Sequence, residues 1–104
     1  FAVVNHLHLS IPVEQLRLPI QTEAISLLQV SPVLGAHIVK EADNRAMVIL
    51  FWASAADAQN GAQVFGPGWF HQNIVPYLAS ELRRSMGEVI ASSQCKGQAL
   101  RLVT

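Results

Sequence analysis

The run Ala46-Met47-Val48-Ile49-Leu50-Phe51-Trp52-Ala53 constrains the fold more than any other stretch of the chain. It has strand length and is far short of the roughly 20 residues that span a membrane. Side chains alternate across a strand, so Met47, Ile49 and Phe51 share one face, with Val48, Leu50 and Trp52 on the other. An antiparallel strand with one wet face alternates apolar with polar residues, and this one does not. Both sides of its sheet therefore need cover. Only 13% of the 104 residues are charged, against about a quarter in an average domain. Apolar surface that one chain cannot cover marks an interface, and a second copy of the chain is the simplest partner.

The neighbouring segments order themselves around this strand. Ala42-Asp43-Asn44-Arg45 has turn chemistry, so Ala36 to Glu41 and Ala46 to Ala53 read as a hairpin. Phe1 to Leu9 reads as a first strand, with Phe1, Val3, Asn5, Leu7 and Leu9 on one face and Ala2, Val4, His6 and His8 on the other. Ser10 offers a helix cap, and Ile20, Ala24, Leu27 and Leu28 recur at helical spacing. Pro19 predicts a short lead-in before the main helix, which Ser31-Pro32 ends. Ser54, with Asp57 three residues on, caps a second helix that Gly66-Pro67-Gly68 is expected to break. A further helical stretch from about Trp69 to Arg84, kinked at Pro76, and a fourth strand from Gly87 to Ser92 complete the order. The order β-α-β-β-α-β predicts an α+β, ferredoxin-like domain over residues 1–92, with residues 93–104 as a loosely held tail. Two helices cover one face of such a sheet, leaving the other for a partner's sheet.

Charge and motif content narrow the function. Net charge is zero and no basic stripe is visible, which argues against nucleic-acid binding. Nothing points to a membrane partner. One cysteine, Cys95, cannot form an internal disulfide, which fits a reducing cytoplasm. Gly66-Pro67-Gly68 lacks the lysine and the length of a phosphate loop.

Several polar or aromatic positions carry possible chemistry. Asn5 interrupts an apolar strand face, and its amide either bonds neighbouring backbone or points into a ligand cavity. His71 follows the Gly-Pro-Gly segment, where a pocket wall can form, and histidine is the side chain most often used as a general base. Trp69, Phe70 and Tyr77 supply aromatic bulk for a core or for pocket walls. His6 and His8 form an H-x-H pair that would hold a metal only if further ligands such as His37 and Glu41 converged; polar packing at a dimer interface is the alternative.

Short motifs in order along residues 3 to 92 resemble the antibiotic biosynthesis monooxygenase-like family of dimeric α/β barrels. They are Val4-Asn5-His6-Leu7, Ser31-Pro32-Val33-Leu34-Gly35, Phe51-Trp52-Ala53-Ser54, Gly66-Pro67-Gly68-Trp69-Phe70-His71 and Arg84-Ser85-Met86-Gly87-Glu88-Val89. The resemblance implies a homodimer with facing ferredoxin-like sheets, and either cofactor-independent oxidation of an aromatic or polyketide-like molecule or oxidative haem breakdown. Asn5 and His71 match the asparagine and histidine of the haem-degrading members, while the tryptophan of those members falls at or near Gly61. The expectation is therefore a cofactor-independent monooxygenase in which Asn5 orients a small aromatic substrate, His71 acts as general base, and Trp69, Phe70 and Tyr77 line the pocket. A non-catalytic dimeric binding or structural domain of the same fold is the alternative.

Overall fold

A computed structural model describes residues 1–92. Strands β1 (Ala2–His8), β2 (Val33–Ala42), β3 (Arg45–Trp52) and β4 (Arg83–Gly87) form one antiparallel sheet in the order β2-β3-β1-β4. This is the ferredoxin-like split arrangement, with the doubly apolar β3 in an inner position beside β1. The β2–β3 hairpin closes through Asp43-Asn44, and this turn also anchors the chain leaving β1. The Leu9 amide donates to the Asn44 carbonyl, and the Val13 amide to the Asp43 carbonyl. Ser10 consequently caps no helix; its hydroxyl donates to the Tyr77 carbonyl, and α1 (Glu14–Pro19) starts after Val13.

Both helical layers carry a widened turn. Pro19 lacks the amide that would bond one turn back, yet it does not divide the helix as the sequence suggested. The chain passes from α1 through a π-turn (Ile20–Ala24), where the Ile25 amide reaches the Ile20 carbonyl, into α2 (Ile25–Gln29). The Gly-Pro-Gly segment behaves alike. α3 (Ala55–Phe65) runs on through a π-turn (Gly66–Phe70) into the short α4 (His71–Asn73) rather than breaking. A residue before proline avoids helical angles because its Cβ meets the ring, and Gly66 has no Cβ, so it keeps φ −63° and ψ −54°. At the start of α3 the Ser54 hydroxyl accepts from the Asp57 amide at 3.1 Å, the cap its sequence predicts. The two π-turns are tied together where Trp69 Nε1 donates to Glu23 Oε1 at 2.9 Å.

The last helical stretch is shorter than expected. It ends in a 3₁₀ turn, Val75–Tyr77, with Leu78 already extended, and the fourth strand comes four residues early, at Arg83 rather than Gly87. All five β4 residues are exposed, so the strand lacks the hydrophobic signature that would have placed it.

The helices cover one sheet face. Leu7, Leu9, Leu16, Ile20, Ala46 and Ile74 form one buried cluster, and Val3, Leu28, Leu50, Trp52 and Ala58 a second. By alternation, Val4, His6, Met47, Ile49, Phe51 and His37 lie on the opposite face, where no element of the described chain packs. No helix among the described residues is long and apolar enough to cross a membrane. Cys95 and the expected tail lie outside the described residues.

Candidate functional site

A cavity of about 590 Å³ lies between the helix-covered face of the sheet and α3. Its existence follows from the side chains that α3 presents. Ala55, Ala58 and Ala62 of α3, and Gly66 at the start of the π-turn, recur at helical spacing and are too small to fill the space above Phe1, Val3 and Leu50. Phe65, Pro67 and Phe70 close it on the side of the second π-turn. The walls are mainly apolar, as small-molecule sites are.

Two polar groups meet on the sheet side of this cavity. Asn5, 7% exposed, is the one buried polar residue among those described. It sits opposite Arg84 in the β1–β4 register, and Arg84 Nε donates to Asn5 Oδ1 at 2.7 Å. The amide thus takes neither of its expected partners alone: it bonds a side chain, and it lines the cavity. Asn5 engages the guanidinium through Nε, and Arg84 lines the cavity beside it. Among the described residues no carboxylate pairs with Arg84, and no other ionised side chain lines the cavity.

The remaining candidates separate. Phe70 lines the cavity with Asn5. Trp69 does not; it walls a second, smaller cavity of about 300 Å³ and holds Glu23. Tyr77 is 40% exposed and lines neither. His71 is exposed at the start of α4 and also lines neither, so it does not share a cavity with Asn5 as the sequence suggested. The uninterrupted passage of the helix through Gly66-Pro67-Gly68 accounts for this: it turns Phe70 inward and His71, one residue on and about 100° round, outward. His8 lies 3.3 Å from Ser80 through Nδ1, and among the described residues no three His, Cys, Asp or Glu side chains group as a metal site. The residue that sequence reasoning missed is Arg84. The sequence pattern places it at a helix end, and only strand pairing brings it beside Asn5.

Trp52 lies under α3, 3% exposed, with its ring against Gly61. A Cβ on Gly61 would collide with that ring. The indole therefore enters from the strand into the space beside a helix position that has no side chain of its own.

Searches by sequence and by structure give different results. No protein-family model matches the chain, and no curated protein matches it. Solved structures do. A protein of unknown function from Nitrosomonas europaea aligns at TM-score 0.73 and 17% identity, covering 92% of this chain and 94% of that one. The R26S mutant of MhuD, with two manganese protoporphyrin IX bound per active site, aligns at 0.68 and 14% identity, covering 90% and 98%. The heme-degrader MhuD from Mycobacterium tuberculosis, with two hemes in its active site, aligns at 0.60 and 17% identity, covering 88% and 98%. The chain is similar to these proteins in fold across nearly its whole described length.

Proposed function

We propose that the chain belongs to the antibiotic biosynthesis monooxygenase-like family and acts as a homodimeric, cofactor-independent oxygenase on an aromatic or polyketide-like phenol. The observation that carries this reading is the Asn5–Arg84 pair, set on one side of an otherwise apolar cavity of about 590 Å³. A planar polycyclic phenol buries its rings against Phe65, Phe70 and Leu50 and turns its hydroxyl toward the pair. The positive charge of Arg84 stabilises the phenolate over the phenol and lowers its pKa. The phenolate is electron-rich enough to reduce dioxygen directly. For a hydroxyanthrone the balance is simple: the ring methylene becomes a carbonyl carrying one oxygen atom, and the other oxygen leaves as water with the two hydrogens. His71 is not the base in this scheme, because it stands outside the cavity. The phenol proton passes to water at the cavity mouth.

Haem suits this cavity less well. Among the described lining residues there is no histidine or cysteine, and the one sulfur donor, Met86, sits on the exposed edge strand. The absence of a base inside the cavity favours one second reading, a domain of the same fold that binds an aromatic ligand without transforming it.

Oxygen uptake with a hydroxyanthrone, alongside calorimetric binding, separates these readings. Turnover to the anthraquinone that drops at least about a hundredfold in Arg84→Met supports the oxygenase, a loss of the size seen when one charge-stabilising group is removed. Binding without oxygen uptake leaves the binding domain, and no binding refutes both.

A further inference from the structure

Trp52 stands between two cavities. The main cavity and the smaller one of about 300 Å³ share four wall residues: Leu28, Trp52, Gly61 and Phe65. The smaller cavity lies on the far side, under Leu27, Val30, Pro32 and Trp69. The indole is buried, yet Nε1 has no hydrogen-bond partner among the described residues. An orphaned donor in an apolar interior is costly, and native structures retain one for a reason. The contrast with Trp69 is direct, since that indole is satisfied by Glu23. With no polar anchor, the Trp52 ring is held by packing alone, and a displacement of the ring would break no hydrogen bond of its indole.

We infer that the two cavities form one bipartite site with Trp52 as its movable partition, and that the ligand has an aromatic head, an apolar tail and an acceptor oxygen at the junction. The head lies beside Asn5 and Arg84, the tail enters the smaller cavity, and the junction oxygen accepts from Trp52 Nε1. Aryl ketones bearing an alkyl chain have this form. The inference rests on the main cavity being a ligand site, as proposed above, and deepens that reading by naming the substrate class.

Three probes test it: β-naphthol, its hexyl derivative and its hexanoyl derivative, each substituted on the ring remote from the hydroxyl. Calorimetry on the intact protein is expected to rank hexanoyl tightest, hexyl next and β-naphthol weakest. Each step is expected to be about tenfold or more, from tail burial and from one buried hydrogen bond. Trp52→Phe is expected to erase the hexanoyl advantage over hexyl. Leu27→Trp, at a half-exposed position on the rim of the smaller cavity, is expected to reduce both derivatives to the β-naphthol level. Unchanged β-naphthol binding in that variant shows that it folds. In the wild type, the Trp52 indole proton should shift downfield on NMR when the hexanoyl compound binds, while that of Trp69 stays in place.

Equal affinities for β-naphthol and hexyl-naphthol overturn the bipartite site while leaving the main cavity intact. A hexanoyl advantage that survives in Trp52→Phe overturns the role of the indole. A tail effect that disappears in Leu27→Trp, combined with β-naphthol binding indifferent to Asn5→Leu, upholds the tail subsite and overturns the head site instead. No binding of any probe overturns both.

Discussion

Arg84 Nε donates to Asn5 Oδ1 at 2.7 Å, a hydrogen bond between an exposed edge strand and a buried amide 79 residues away in sequence. The pair adds little net stability. Burying an amide carries a desolvation penalty that one hydrogen bond only offsets, and the arginine would be equally well served by water.

Replacing Asn5 by Leu therefore keeps the fold. Its stability should fall within about 1 kcal/mol of wild type, because the apolar side chain fits its surroundings and Arg84 swings into solvent. Ligand affinity should fall at least about tenfold, the worth of one oriented polar contact. Chemical denaturation together with calorimetry checks both halves. A large loss of stability would make Asn5 a structural residue.

A side chain at Gly61 fits only if the Trp52 ring shifts. Gly61→Ala drives a methyl group into the Trp52 ring, and overpacking of this kind costs typically 1–3 kcal/mol. Higher helix propensity at the same position returns up to about 1 kcal/mol, so the net change should remain destabilising. Thermal melting would register it, and the near-ultraviolet circular dichroism of the displaced indole should change with it. A variant as stable as wild type with an unchanged indole signal would contradict the packing described.

Glu14 accepts hydrogen bonds from Arg17 at 2.6 and 2.8 Å and from Lys40 of β2 at 3.1 Å. These partners, Arg17 first, hold its pKa at about 2, below the usual 4.5. The folded-state value lies below the unfolded one. The contribution to stability is thus fully present above about pH 4.5 and disappears as pH falls toward 2. The carboxylate is on the surface, where solvent screens such pairs, so the effect is small. A carboxyl carbon NMR titration should find the low midpoint in wild type and a higher one in Arg17→Met, still held below the usual value by Lys40.

The uncovered sheet face predicts self-association. Light scattering after size exclusion should give twice the 11.3 kDa chain mass. Ile49→Asp, a charge at the centre of that face, should give a folded monomer, because an unpaired charge cannot be buried against a second sheet. A wild-type monomer at micromolar concentration would mean that something other than a second copy covers Met47, Ile49 and Phe51.

How much of this the sequence determined depends on whether the signal is local. Strand alternation in β1, the apolar run of β3 and the Asp43-Asn44 turn are local patterns, and they placed these strands and the β2–β3 hairpin. Asn5 was legible for the same reason, as a polar residue on an apolar face. The Ser54 cap was legible because capping is a contact three residues long. Only the tertiary structure decided where Arg84, His71 and Trp52 stand. β4 is an edge strand with all five residues exposed, so nothing in its composition separated it from a helix end, and pairing with β1 alone set Asn5 opposite Arg84. The orientation of His71 depended on whether the helix stopped at Gly66-Pro67-Gly68 or ran through it. Neither residue type decides that; the bonding from the His71 amide back to the Gly66 carbonyl does. Trp52 lies against Gly61 because a strand and a helix are close in space at a helix position that offers no side chain. Periodicity reports which face a residue is on, whereas a cavity is set by what the opposing face leaves unfilled.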